Sequence, residues 1–245
     1  MKYILQVKEI EKNYGERKAV KGISFNVREG EILGFLGPNG AGKSTSINMI
    51  ATVIDYDKGN MFFYDREVKK NEKYLKQNLG VVPQDMAVFN DLSAYENVKF
   101  FCSLYGIKGK ELKNNVEEAL NFVGLWDRRK ELPTQFSGGM KRRLNIACSI
   151  AHKPKLLIMD EPTVGIDPQS RNNILETVKE LNKRGATIIY TSHYMEEVEH
   201  ICTNLIIMDE GTIIEEGTKE KLKSKYSKDN LEDIFLQLTG KELRD

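Results

Sequence analysis

Nine consecutive residues, Gly37-Pro38-Asn39-Gly40-Ala41-Gly42-Lys43-Ser44-Thr45, restrict this chain more than any other feature it carries. They fit the pattern G-x-x-x-x-G-K-[ST], which acquires its meaning only between a strand and a helix. Both are predicted here: Glu31 to Leu36 is a short, mostly apolar run, and a helix is expected from about Lys43. Glycines let the backbone curl so that its N–H groups turn inward on phosphate oxygens. The helix N-terminus adds positive partial charge. All nine residues are therefore expected to line a phosphate site, with Lys43 pairing to terminal phosphate oxygens and Ser44 ligating Mg2+.

A phosphate cradle performs chemistry only with acidic groups beside it. Leu156-Leu157-Ile158-Met159-Asp160-Glu161-Pro162 sets a carboxylate pair at the end of a buried strand. Asp160 is expected in the shell of the Mg2+ ion, and Glu161 to orient and activate a water. A competing run, Ile206-Ile207-Met208-Asp209-Glu210-Gly211, has its acids before a glycine and a new strand, as a solvated hairpin turn would. The first pair is preferred.

The surrounding pattern predicts the architecture. Tyr3 to Ile10 and Val20 to Val27 read as antiparallel strands, with a turn at Tyr14-Gly15-Glu16. Thr187 to Tyr190 is a further apolar strand. Before it lies a helix capped by Asp167, with Pro168 in its first turn, a stripe at Ile174, Val178 and Leu181, and Gly185 at its end. Apolar strands alternating with helices indicate a parallel sheet covered by helices. Leu92 to Arg129 is charged and helix-rich, as an inserted subdomain would be. Leu205 to Met208 and Thr212 to Glu215 form a predicted hairpin, and one amphipathic helix is expected beyond Lys219.

Composition removes several classes. Lys+Arg total 37 and Asp+Glu 36, so the basic excess typical of a nucleic-acid binder is missing and no such partner is expected. Cys102, Cys148 and Cys202 match no disulfide or zinc spacing and read as buried thiols of a reducing compartment. Met1 to Leu5 leads into polar Gln6, Lys8 and Glu9, unlike a signal peptide. No apolar run approaches the roughly 20 residues needed to cross a bilayer, so a cytoplasmic chain is expected.

Phe136-Ser137-Gly138-Gly139-Met140-Lys141-Arg142-Arg143 follows the helical insert, opens a helix and precedes the Asp160-Glu161 strand. With this segment the chain closely resembles the ATP-binding cassette (ABC) family of transporter ATPases, along essentially its whole length. The resemblance implies an α/β fold: a P-loop NTPase with a mixed sheet core, an N-terminal antiparallel β subdomain and an inserted helical subdomain. It implies one domain over 1–245, with core segments 1–84 and 136–220, a helical subdomain over 85–135 and a helical tail over 221–245. By the same resemblance Tyr14 stacks on adenine, and Gln84, in Val81-Val82-Pro83-Gln84, touches Mg2+ and water. Ser137, Gly138 and Gly139 form the signature that contacts the γ-phosphate, Asp167 meets the opposing subunit, and His193 after Thr191-Ser192 holds the γ-phosphate. Glu161, His193, Gln84 and Lys43 are thus the expected catalytic set, Ser44, Gln84 and Asp160 the metal set, with ATP and Mg2+ as cofactors. Phe136 and Met140 depart from the leucine and glutamine common in the signature, and Val164-Gly165 departs from a serine-alanine type. Lys141-Arg142-Arg143 reads as a solvated or phosphate-facing surface, and His152 and His200 as structural.

Family likeness also implies partners. The signature of one copy covers the nucleotide of a second copy or a related ATPase subunit. A separately encoded integral membrane permease is driven from the cytoplasmic face of the membrane. The surface near Gln84 is expected to receive it, with Phe89 and Tyr95 in a groove and Phe100 and Phe101 in the core. Leu231 to Gly240 resembles the ending of the drug, sodium and polysaccharide exporter group, which implies export. Two rivals remain. A non-transport ABC ATPase acting on ribosomes or DNA usually carries two cassettes, coiled-coil inserts or zinc cysteines. A P-loop GTPase would need an aspartate that Asn182-Lys183-Arg184-Gly185 lacks, and neither it nor a kinase has a place for the Ser137 motif.

Overall fold

The computed structural model describes residues 2–192 and 194–240. In chain order its strands are β1 (Tyr3–Tyr14), β2 (Arg17–Arg28), β3 (Ile32–Leu36), β4 (Lys58–Phe63), β5 (Arg66–Glu67), β6 (Leu79–Val82), β7 (Leu156–Asp160), β8 (Thr187–Thr191), β9 (Asn204–Asp209) and β10 (Thr212–Thr218). Strands β2-β1-β4-β5 make one antiparallel sheet. A second sheet has the order β10-β9-β3-β8-β7-β6, parallel from β9 through β6 and closed by antiparallel β10. The mixed core and the N-terminal antiparallel unit expected from sequence are both present.

The parallel strands read as continuous apolar runs because each faces a core on both sides. On β7, Leu156 and Ile158 pack toward the antiparallel sheet, whereas Leu157 and Met159 pack toward the helices. The same alternation divides Ile206 and Met208 from Leu205 and Ile207 on β9. The first core joins the mixed sheet to β1, β2 and β4 through Ile4, Leu5, Phe25, Phe35 and Phe63. The second joins the sheet's other face to the helices.

Helices are α1 (Lys43–Ile50), α2 (Glu72–Asn78), α3 (Ala94–Ser103), α4 (Gly109–Phe122), α5 (Gly138–Ile150), α6 (Pro168–Lys183), α7 (Met195–Ile201), α8 (Lys219–Tyr226) and α9 (Leu231–Thr239). Between β6 and β7 come α3 and α4, the inserted helical element, and then α5. Ser93 and Glu96 form a reciprocal capping box that starts α3. Leu112, Val116, Ala119 and Leu120 make the buried stripe of α4.

Two expectations need correction. The strands at the N-terminus run 12 residues each rather than about eight, because the ladder continues to a tight turn between Tyr14 and Arg17. The C-terminal tail is two helices, not one. Ser227 adopts a left-handed φ of 52° that ends α8, and Asn230 starts α9 by accepting from the Asp233 N–H at 2.8 Å. Leu231, Ile234 and Phe235 then enter the second core.

Candidate active site

The loop between β3 and α1 is shaped by its glycines. Gly42 has φ 99°, and a Cβ there would lie 2.6 Å from the Ala19 carbonyl of β2. Only glycine fits both the conformation and the space. The helix N-terminus that follows has no side-chain cap, so its N–H groups remain available to an anion. Lys43 is 7% exposed, and its Nζ donates to the Gly37 carbonyl at 2.6 Å and to Pro38 at 3.2 Å. Burial pulls its pKa below the ordinary lysine value, while the charges of Glu161 and Asp160 push it back up. The loop, the lysine and the acidic pair thus share one electrostatic environment. Ser44, Asn39 and Gly40 are exposed, whereas Gly37, Pro38 and Ala41 are buried.

Thr191, at the end of β8, joins the two carboxylate residues. Its Oγ1 donates to Asp160 Oδ1 at 2.6 Å and accepts from the Glu161 N–H at 2.9 Å. The register of β7 against β8 pairs Asp160 with Thr191, which makes this bridge possible. Glu161 takes φ 48° and is 6% exposed. A non-glycine residue in that left-handed region is strained, and such strain concentrates at functional sites. Asp209 and Glu210 instead occupy the β9–β10 turn, as expected for a solvated hairpin.

The other expected residues are dispersed. Tyr14 ends β1 and is 52% exposed. It lies at the hairpin whose Arg17 would come within 3.8 Å of a Cβ at Gly40. Gln84 is exposed in the loop after β6. Ser137 caps α5 by accepting from the Met140 N–H at 3.3 Å. Ser137 and Gly138 are exposed, whereas Gly139 is buried against Ser170 of α6. Asp167 is exposed and caps α6 through the Ser170 N–H at 3.0 Å, a bond that holds its carboxyl below the usual range. His193 lies outside the described residues. The structure therefore gathers Lys43, Asp160 and Glu161, and leaves Ser137, Gly138, Asp167, Tyr14 and Gln84 on the surface.

The lining suits ATP with Mg2+. A buried ammonium held by carbonyls, an uncapped helix N-terminus and a carboxylate oriented by a neutral hydroxyl match a polyanion bridged by a hard cation. Asp160 and Ser44 supply oxygen donors of the type Mg2+ prefers.

Sequence reasoning missed Arg142. It is 2% exposed, and its guanidinium donates to the Pro83 carbonyl at 2.7 Å and the Gln84 carbonyl at 2.5 Å. Its place in a basic trio suggested a solvated face; instead it clamps the backbone that carries Gln84. Asn97, 0% exposed, likewise fastens the next turn, accepting from the Phe89 N–H and donating to the carbonyls of Phe89, Leu92 and Ser93. The aromatic groove also differs from expectation. Phe100 is 41% exposed and packs edge-on to 46%-exposed Phe89, while half-buried Tyr95 turns toward Trp126.

Comparison with known proteins adds an independent finding. Residues 20–164 match the family model described as ABC transporter. The chain is 51% identical over 237 residues to the linearmycin resistance ATP-binding protein LnrL of Bacillus subtilis, covering 97% of this chain and 76% of the relative. It is 37% identical over 218 residues to the Nod factor export ATP-binding protein I of Burkholderia orbicola, covering 89% of this chain and 72% of the relative. Among solved structures, a dimeric ATP-binding cassette in a post-hydrolysis state bound to ADP and Pi superposes with a TM-score of 0.78 at 25% identity, covering 87% of this chain and 98% of that one.

Proposed function

The chain belongs to the ABC transporter family, and on that premise we propose that its loop at Gly37 to Thr45 holds the triphosphate of ATP while Glu161 activates the attacking water. The observation that carries this reading is the shared environment of Lys43, at the start of α1, with Asp160 and Glu161, at the end of β7. Lys43 would exchange its two loop carbonyls for phosphate oxygens, an exchange favoured because its buried charge is better matched by an anion. Bound Mg2+ supplies neutralisation of the phosphate charge, and Ser44, Asp160 and Gln84 are the residues to hold it. Thr191 keeps the Asp160 carboxylate aimed. Glu161, shielded from bulk water, acts as the base, and its field is strengthened by that shielding. By motif, His193 holds the γ-phosphate and Tyr14 stacks on adenine.

Exposure supports a shared site. Ser137, Gly138 and Asp167 are on the surface, and a solved relative of the same fold is a dimer. In this reading Ser137, Gly138, Gly139 and Asp167 of one copy close over the nucleotide of a second copy or a related ATPase subunit. Closure excludes water and orients the attacking one; product release reopens the pair. Residues 85–135 form the helical subdomain of a single cassette, and 221–245 its tail.

Among the described residues no helix is long and apolar enough to cross a membrane. Membership of the family supports a reading in which the work is done on a separately encoded integral permease, with this chain peripheral on its cytoplasmic side. Its contact is the exposed Phe89 and Phe100 surface near Gln84. Relatives named for resistance and for export support an exporter. Glu161→Gln is expected to bind ATP, to lose at least about a hundredfold in turnover, and to accumulate as an ATP-bound dimer in light scattering. Turnover at the unmodified rate would remove Glu161 from the role of base.

A further inference from the structure

Glu197 on α7 is 2% exposed and has no part in the chemistry described above. Its Oε2 accepts three hydroxyls: Ser192 Oγ at 2.7 Å, Tyr190 OH at 2.8 Å and Thr163 Oγ1 at 2.9 Å. Arg171 Nε of α6 forms an ion pair with Oε1 at 3.5 Å, and the same guanidinium lies 4.0 Å from the Tyr194 ring centroid. A buried carboxylate is costly unless surrounded by donors and a counter-charge. Apolar side chains of the same volume would hold α7 to the sheet at least as well. Oε2 is saturated by its three hydroxyls, whereas Oε1 and Arg171 Nε meet as an ion pair without a hydrogen bond; the bonds on Oε2 fix the arrangement of the groups that make them.

Those groups belong to the segments that carry the reaction. Thr163 follows Glu161 by two residues, across Pro162. Ser192 follows Thr191, whose hydroxyl bridges Asp160 and the Glu161 N–H. Arg171 stands one residue past Ser170, the contact of Gly139. One carboxylate thus ties the turn after the acidic pair, the end of β8 and the first turn of α6 to the same point.

We propose that Glu197 is a positioning residue for ATP hydrolysis, acting through Thr163 and Ser192 to hold Glu161 and the β8 end in one arrangement. The proposal rests on the reading of Glu161 as the base. Its role is in the chemical step rather than in nucleotide affinity, since none of its partners lies in the Gly37–Thr45 loop. Misplacing a reacting group by a fraction of its contact distance can cost on the order of a hundredfold in rate.

Glu197→Gln keeps the side-chain volume but turns an amide N–H2 toward either Arg171 or the hydroxyls, which are all donors to the carboxylate. It is expected to lower kcat by about ten- to a hundredfold with KM for ATP changed less than about twofold, which marks lost transition-state stabilisation rather than lost binding. Thr163→Val should reproduce the fall in kcat, and Thr163→Ser, which keeps the hydroxyl, should restore most of it. This second pair decides the matter if the Glu197 variant fails to fold by circular dichroism. An unchanged kcat in Glu197→Gln, or equal rates for the valine and serine variants at Thr163, would overturn the proposal while leaving the function intact. Absence of ATP turnover by the unmodified protein with its permease would instead sink the functional reading.

Discussion

The imidazole of His152 stacks on the Tyr105 ring with centroids 3.5 Å apart, and its Nε2–H donates to the Leu79 carbonyl at 3.0 Å. Burial lowers its pKa to about 4 from an ordinary 6.5. The neutral ring is therefore favoured in the fold, and below pH 6.5 the unfolded chain takes up a proton that the folded chain refuses. Stability should fall as pH drops from about 6.5 to about 4, by about 3 kcal/mol in all, and level off below that. Urea midpoints measured across this window should decline, and His152→Gln should flatten the decline. At this scale the legible residues were those whose meaning is local. Lys43 is defined by the glycines beside it, and Glu161 by the apolar strand before it. Arg142 was illegible because its partners, Gln84 and Pro83, are 58 and 59 positions away and it offers them a side chain that reads equally well as solvated. Glu197 was hidden likewise, between other acidic residues in a short helix whose burial follows from tertiary packing.

Between elements, α5 and α6 meet in a tight seam. A Cβ on Gly139 would meet Ser170 Oγ at 2.4 Å and Ser170 Cβ at 2.5 Å. Gly139→Ala should therefore destabilise the protein by about 1–3 kcal/mol through overpacking. The cost should shrink in a Ser170→Gly background, and a double-mutant cycle on thermal unfolding would read that coupling. Glycine at this point of the signature thus has a packing reason besides any contact with nucleotide. Elements were well forecast where period and caps agreed, as in α6 with Asp167 and its buried Ile174, Val178 and Leu181. They were less so in the tail, where the sparse apolar residues past Lys219 gave no warning of a break at Ser227. Tyr95 and Phe100 exchanged places for a related reason: residues five apart on a helix lie about 140° apart around its axis, and only the packing of α3 against its neighbours settles which of them faces outward.

For the molecule as a whole, the reading of a nucleotide machine has a thermodynamic signature. A ligand that binds only the folded chain stabilises it by about 2.7 kcal/mol at a hundredfold excess over its Kd. ATP with Mg2+ should therefore raise Tm in differential scanning fluorimetry, and Lys43→Ala should abolish most of that rise without lowering the Tm of the nucleotide-free protein. Equal shifts in both proteins would show that the loop is not where the nucleotide is held. The alternation along β7 and β9 carries a wider consequence. The central sheet is a party wall, plastered on one side by Leu156 and Ile158 and on the other by Leu157 and Met159. Neither room can be refurbished without moving the masonry of the other, so the tolerance of each to substitution is set by its neighbour.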